Sequence, residues 1–290
     1  MRDLRKSFSD LLQTNLREKI EVKNIRVLSG GCINQAFQLV TDKGLYFLKM
    51  NKERGTEMFE AESKGLKLLS QTKVIAVPDV IGFGSTEDFS FLILSYVKTG
   101  SRSKKYWEDF GQSLAHLHKV YNDYFGLDHN NFIGFLPQYN DPGNDWIDFF
   151  INNRLEVQVK LAAETGRISK EISGKFEKLY QKLNHILVKE KPSLLHGDLW
   201  SGNVMTNEEG KASIIDPAVY FGNREAELAF TTLFGGFENS FYGSYQEEFP
   251  LEPDYEDRFD IYNLYPLMVH VNLFGGGYVA SVDSVLRRYV

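Results

Sequence analysis

Apolar residues Phe8, Leu11, Leu12 and Leu16 recur at helical spacing among charged neighbours, which predicts a leading helix over 7–19, with Ser7 or Asp10 as caps. The pattern then changes period. Three short runs rich in β-branched and aromatic residues, 22–28, 35–40 and 45–50, are separated by Ser29-Gly30-Gly31-Cys32-Ile33-Asn34 and by Thr41-Asp42-Lys43-Gly44. Both connections are turn-prone, so the runs read as an antiparallel meander. Residues 56–70 return to helical spacing, with Met58, Phe59, Leu66, Leu68 and Leu69 among Glu and Lys, and Thr56 placed to cap. Two more strands follow at 80–83 and 91–97. The polar, glycine-containing stretch 98–105 reads as a linker.

Beyond it the helical period dominates, over 106–120, 146–163, 168–187, 224–234 and 256–274. One β-like island interrupts it, where 204–206 and 212–215 flank the hairpin signal Asn207-Glu208-Glu209-Gly210. The chain therefore divides into an N-terminal lobe, 1–97, built on an antiparallel sheet with one main helix, and a mainly helical C-terminal lobe, 98–290. The class is α+β.

Composition narrows the function. With 42% hydrophobic and 25% charged residues the 290-residue chain has the means to bury real cores, and disorder is excluded. A formal net charge of -6 and the lack of a basic stripe argue against a nucleic-acid partner. No apolar run reaches the roughly 20 residues of a membrane span, and the charged N-terminus lacks a signal-peptide core. A cytoplasmic location is expected. The single cysteine, Cys32, leaves no internal disulfide framework and no cysteine-based zinc site.

Candidate chemistry gathers near position 200. Ser193-Leu194-Leu195 is an apolar run that ends in His196-Gly197-Asp198, and Asn203 follows five residues after the aspartate. Thirteen residues further on, Ile214-Ile215 again leads an apolar strand to a carboxylate, Asp216, which the hairpin folds back beside Asn203. Either aspartate alone would pass for a strand-end turn residue. Together they match what phosphoryl transfer requires, a carboxylate to accept the attacking hydroxyl's proton and oxygen ligands for Mg on the phosphates of ATP. Asp198 suits the first role, and Asn203 and Asp216 suit the second. The order Asp-x4-Asn followed by a strand-borne Asp is the kinase catalytic-loop arrangement.

The N-terminal half supplies the complement. Lys49 ends the apolar run Tyr46-Phe47-Leu48 and precedes a Glu-bearing helix. A lysine buried there needs an acidic partner, Glu62 or alternatively Glu60, and such a pair would steady it against the nucleotide's phosphates. Gly30 and Gly31 stand where a phosphate-covering turn belongs. Neither a Walker A motif nor a complete G-x-G-x-x-G is present. Ser95-Tyr96-Val97, at the expected lobe junction, offers backbone groups to adenine. His196 reads as a buried imidazole bonded to the loop backbone, because no second His stands at metal-ligand spacing. Trp200 is either plain packing or the lining of an acceptor pocket.

With these residues in place the sequence resembles the fructosamine kinase (ketosamine-3-kinase) family, protein-kinase-like and related to the aminoglycoside and choline kinases. The resemblance runs over nearly the whole chain. It is carried by 28–34, by Met58-Phe59-Glu60-Ala61-Glu62, by Leu195-His196-Gly197-Asp198-Leu199-Trp200-Ser201-Gly202-Asn203 and by the run from Asp216-Pro217-Ala218 to Arg224-Glu225. It implies a two-lobed protein-kinase-like fold with Asp198 as proton acceptor and Asn203 and Asp216 on Mg. It further implies that Lys49 pairs with Glu62 and that Ser95 to Val97 form an adenine hinge. The implied reaction phosphorylates the 3-hydroxyl of ketosamines, free or protein-bound, as a deglycation repair.

Three positions depart from the family pattern: Ser95 where an acidic residue is frequent, Asn223 where His or Asp is common, and Glu227 where Asp is usual. They concern substrate detail rather than chemistry. An activation segment of protein-kinase type is missing, because the next predicted helix begins within ten residues of Asp216. Two rival readings are another small-molecule kinase, of aminoglycoside or choline type, and a non-catalytic nucleotide-binding pseudokinase. A hydrolase built on His196 and Ser201 lacks the Gly-x-Ser-x-Gly elbow. Cys32 reads either as a small semi-buried hydrophobe or as an oxidisable thiol in the phosphate-covering turn.

Overall fold

A computed structural model describes residues 2–28, 34–52 and 55–290. Gly30, Gly31 and Cys32 lie outside the described residues. Two compact units are present, one comprising 1–104 and 205–216, the other 105–204 and 217–290. The expected division was a single cut between 97 and 98. The units differ from it in that residues 205–216, from the hairpin to Asp216, go with the first.

The first unit begins with helix α1 (Arg2–Leu16) and the strands β1 (Val22–Leu28), β2 (Gln35–Thr41) and β3 (Leu45–Asn51). Helix α2 (Glu57–Thr72) and strands β4 (Val80–Ser85) and β5 (Ser90–Ser95) follow. The five strands form one antiparallel sheet in the order β1-β2-β3-β5-β4. Alternation along β3 sends Leu48 and Met50 into a core with Phe8 and Leu12 of α1. Phe47, of opposite parity, packs with Phe59 and Leu66 of α2. Burying side chains such as Phe59 and Leu66 contributes about 2 kcal/mol each.

Thr56 occupies the N-cap of α2, but its side chain makes no capping bond, and only its carbonyl enters the first helical hydrogen bond, from Glu60 N–H at 2.8 Å. The stretch read as a linker is pinned rather than free. Gly100 N–H donates to Thr206 O at 3.1 Å and Ser103 N–H to Gly210 O at 3.0 Å.

The second unit is mainly helical. Helix α3 (Tyr106–His118) leads to a short hairpin, β6 (Asn131–Ile133) and β7 (Leu136–Gln138), that the sequence pattern did not reveal. The helix expected over 146–163 is α4 (Trp146–Phe149) and α5 (Glu156–Glu164) joined by a π-helical segment, Phe150–Leu155. The segment expected over 168–187 breaks into α6 (Lys170–Tyr180) and α7 (Leu183–Ile186). Strand β8 (Ser193–Leu195) pairs antiparallel with β11 (Tyr220–Gly222), and the hairpin of β9 (Val204–Thr206) and β10 (Ala212–Ile214) lies between them in sequence.

Helix α8 (Arg224–Leu233) starts at Asn223, whose side chain accepts the Glu225 N–H at 2.9 Å. Helices α9 (Asn239–Glu248) and α12 (Gly277–Tyr289) were not anticipated, and the stretch expected over 256–274 divides at Asn263 into α10 (Tyr255–Tyr262) and α11 (Leu264–Phe274). No helix among the described residues is long and apolar enough to cross a membrane.

Candidate active site

Parity along β3 places Lys49 on the same face as Phe47, toward α2, where Glu62 falls between Phe59 and Leu66 on the buried stripe. Lys49 is 7% exposed. It donates to Glu62 Oε1 at 2.6 Å and to Asp216 Oδ1 at 2.8 Å. The alternative partner Glu60 is engaged elsewhere, with Lys64 at 2.8 Å. Burial by itself pushes an ammonium down, but the two carboxylates more than reverse that, and Lys49 is held above its ordinary range. One cation cannot fully offset burial and the neighbouring Asp216, so the Glu62 carboxyl is pushed up. Asp216 takes a left-handed backbone, φ +58°, which Asp tolerates better than most side chains. Its side chain is 43% exposed, so the carboxylate is open to ligands beyond Lys49.

Ser95 closes β5 and ties itself to the neighbouring segment. Its hydroxyl accepts the Asp79 N–H at 2.8 Å, and its own N–H donates to Asp79 O at 2.8 Å. The chain leaves the sheet there, and Tyr96 and Val97 follow, half-buried and outside any strand or helix.

In the second unit the apolar strand β8, buried throughout, delivers His196-Gly197-Asp198. Gly197 has φ +81°, and a Cβ on it would stand 2.0 Å from the Ala218 carbonyl oxygen, so no other residue fits this turn. Asp198 is half-buried. Asn203, brought back by a single 3₁₀ turn (Ser201–Asn203), donates through Nδ2 to Asp198 O at 2.8 Å and to Asp198 Oδ2 at 2.9 Å. That use of Nδ2 leaves the amide oxygen as the atom that Asn203 could offer to a metal. Amide and carboxylate oxygens are the hard donors that Mg selects, and Asn203 in the second unit and Asp216 in the first each carry a donor of that type. His196 is fully buried and its Nδ1 accepts the Asp198 N–H at 3.3 Å, the structural role expected of it.

The Trp200 ring lies over Gly202, where a Cβ would come 2.3 Å from Cη2, and meets Phe234 edge-on at 5.8 Å. Phe234 continues to His270 at 4.7 Å, and His270 to Phe274 at 5.5 Å and Tyr278 at 5.0 Å. His270 Nδ1 bonds Pro266 O at 2.7 Å, and burial holds this imidazole below its usual range. Neither Phe234 nor His270 was singled out from the sequence. Two further residues, one of them Glu227, were given no role from the sequence. The Glu227 carboxylate accepts the His196 N–H at 3.1 Å and the Gly197 N–H at 2.7 Å, and His118 Nε2 lies 3.0 Å from it. The one available signal was a Glu where the resembling family usually has Asp.

Comparison with known proteins identifies the family. The fructosamine kinase family profile matches residues 4–290. The "Probable ketoamine kinase" of Lactiplantibacillus plantarum is 39% identical over 272 residues, covering 93% of this chain and 95% of that protein. The chloroplastic protein-ribulosamine 3-kinase of Arabidopsis thaliana is 37% identical over 275 residues, covering 93% and 83%. A solved structure from Haemophilus somnus, provisionally named a fructosamine-3-kinase, aligns with a TM-score of 0.89 at 30% identity, covering 98% and 97%. The aminoglycoside phosphotransferase APH(4)-Ia aligns with a TM-score of 0.63 at 17% identity, covering 98% and 99%, a likeness of fold alone.

Proposed function

Because the chain belongs to the fructosamine kinase family, we propose that it transfers the γ-phosphoryl group of ATP to the 3-hydroxyl of a ketosamine, the adduct of a sugar and an amine. The observation that carries the kinase reading is the buried Lys49 ammonium bonded to both Glu62 and Asp216. A cation held in this way is preorganised for phosphate oxygens, and phosphoryl transfer depends chiefly on such positioning.

In this reading Lys49 binds the nucleotide's phosphates, steadied by Glu62. Gly30, Gly31 and the backbone of Ser95, Tyr96 and Val97 complete the ATP site. Asp198 takes the proton of the sugar hydroxyl as that oxygen bonds to the γ-phosphorus and ADP departs with the electrons of the broken P–O bond. Asn203, through the hydrogen bonds of its Nδ2, fixes the Asp198 carboxylate for that task. Asn203 and Asp216 would hold Mg, which when bound offsets phosphate charge. Trp200 lines the acceptor site. The biological role is deglycation, since a phosphorylated ketosamine decomposes and frees its amine. We place this activity in the cytoplasm, a setting that suits a chain with one cysteine.

The test is ADP release with Mg-ATP and a panel of ribulose-, erythrulose- and fructose-derived lysines, alongside aminoglycosides and choline. Turnover is expected on ketosamines and is expected to vanish in Asp198→Asn while ATP binding persists. Turnover confined to an aminoglycoside or choline would overturn the acceptor assignment. An Asp198→Asn enzyme of wild-type activity would overturn the mechanism.

A further inference from the structure

A chain of buried polar side chains in the second unit ends on the backbone of the loop that carries Asp198. Arg224 is gripped by Glu190, through Nε at 3.0 and 3.1 Å and Nη2 at 2.7 Å, and its Nη1 lies 3.4 Å from the Tyr245 hydroxyl. That hydroxyl lies 2.8 Å from Nδ1 of His118, and Nε2 of His118 lies 3.0 Å from Glu227 Oε1. The same Oε1 accepts the His196 N–H, and Oε2 accepts the Gly197 N–H. The side chains of His118 and Glu227 are fully buried.

The donors can be directed along this chain. Burial alone would raise the Glu227 carboxyl, but the His118 hydrogen bond and charge, with the Gly197 N–H, hold it below the usual carboxylate range. An ionised carboxylate only accepts, so His118 Nε2 carries a hydrogen and donates it to Glu227, and Nδ1 shares a hydrogen bond with the Tyr245 hydroxyl. Each link then has one donor and one acceptor. Replacing a buried ionic network by apolar packing of the same volume is often neutral or stabilising, whereas a fully satisfied network rigidifies the groups it bonds. The geometry it touches needs fixing, because Gly197 sits at φ +81° against the Ala218 carbonyl, and Asp198 is the next residue.

We propose that His118 is a positioning residue for Asp198. Its imidazole fixes the Glu227 carboxylate, the carboxylate fixes the His196 and Gly197 N–H groups, and these set where the Asp198 side chain stands. The inference rests on the role given to Asp198 above. A displacement of about 1 Å at a reacting group costs about a hundredfold in rate.

The experiment uses the full chain and compares His118→Leu, His118→Gln, Glu227→Gln, the His118→Leu/Glu227→Gln double variant and Asp198→Asn. It measures kcat, KM for ATP and amide hydrogen exchange at residues 196–203. In His118→Leu, kcat is expected to fall about 10- to 100-fold with KM for ATP within about twofold. His118→Gln, whose side-chain N–H replaces the imidazole Nε2–H, is expected to recover most of the rate. The double variant is expected to be no slower than the worse single one, because both break the same link.

Wild-type kcat per folded molecule in His118→Leu, or fully additive losses in the double variant, overturns the proposal. Should the leucine variant not fold, wild-type exchange decides. Protection of the His196 and Gly197 amides above the rest of the loop supports the clamp, and fast exchange there overturns it. Turnover retained in Asp198→Asn sinks the role of Asp198 and the proposal with it. Turnover lost in Asp198→Asn but not in His118→Leu overturns the proposal alone.

Discussion

Lys49 Nζ donates to Glu62 Oε1 at 2.6 Å, from the buried stretch Leu48–Met50 of one strand to the following helix, between Phe59 and Leu66. The partners are unequal in what their loss leaves behind. Glu62→Gln leaves Lys49 still bonded to Asp216, whereas Lys49→Met leaves a buried carboxyl with no cation. Lys49→Met is therefore expected to destabilise by about 3 kcal/mol, because removing one partner of a buried pair strands the other. Glu62→Gln is expected to cost about 1 kcal/mol, as for a weakened hydrogen bond. Denaturant unfolding checks the order, and the reverse order would mean that Glu62 is not the group that needs the cation. Both variants are expected to raise KM for ATP.

Gly197→Ala puts a Cβ 2.0 Å from a backbone oxygen, at a φ of +81° that alanine rarely adopts. The neighbour is main chain and cannot swing away. The variant is expected to lose about 1–3 kcal/mol and nearly all turnover, with ATP affinity little changed. Calorimetry and nucleotide titration measure the two effects separately. An alanine enzyme with normal turnover would show that the loop is not held where it is found.

Much of this could be read from the chain because the signals are local. The 35–41 and 45–51 strands are bounded by turn residues, Lys49 interrupts an apolar run, and Asp198 and Asn203 are five residues apart on one loop. What was missed is either long-range or weakly patterned. His118 and Glu227 are 109 residues apart, and no spacing rule joins them. Helix α9 buries only Phe241, Ser244 and Tyr245 around a central Gly243, too thin a stripe to announce a helix. The π-helical segment keeps the apolar look of an α-helix while changing its hydrogen bonds, so Phe150–Leu155 reads as ordinary helix until the backbone is seen.

Glu227 predicts a pH dependence of stability. Its folded value lies below the ordinary 4.5, so the ionised form is favoured in the folded state. The resulting stability is fully present above about pH 4.5 and is lost as pH falls through the folded value. Glu227→Gln has no such titration. The gap in Tm between wild type and Glu227→Gln should narrow as pH falls below about 4.5. A gap that stays constant or widens on acidification would mean that the carboxylate is not preferentially stabilised in its ionised form.

Gly202 offers a way to test Trp200 without removing it. A methyl group at position 202 would meet Cη2, Cζ2 and Cζ3 of the indole at 2.3, 2.5 and 2.7 Å, so the ring must turn away from its edge-on contact with Phe234. The substitution lies in the second unit, whereas Lys49, Glu62 and Asp216 belong to the first. If Trp200 lines the acceptor site, Gly202→Ala should raise KM for the ketosamine several-fold while KM for ATP stays within about twofold, the pattern of lost binding in ground and transition state alike. Trp200→Ala should do the same more strongly, and Trp200→Phe less. If the ring serves packing alone, Tm falls in all three variants and the ketosamine KM does not move. Initial-rate kinetics against each substrate, with Tm measured on the same preparations, separates these outcomes, because packing loss acts on the folded fraction and acceptor loss on KM.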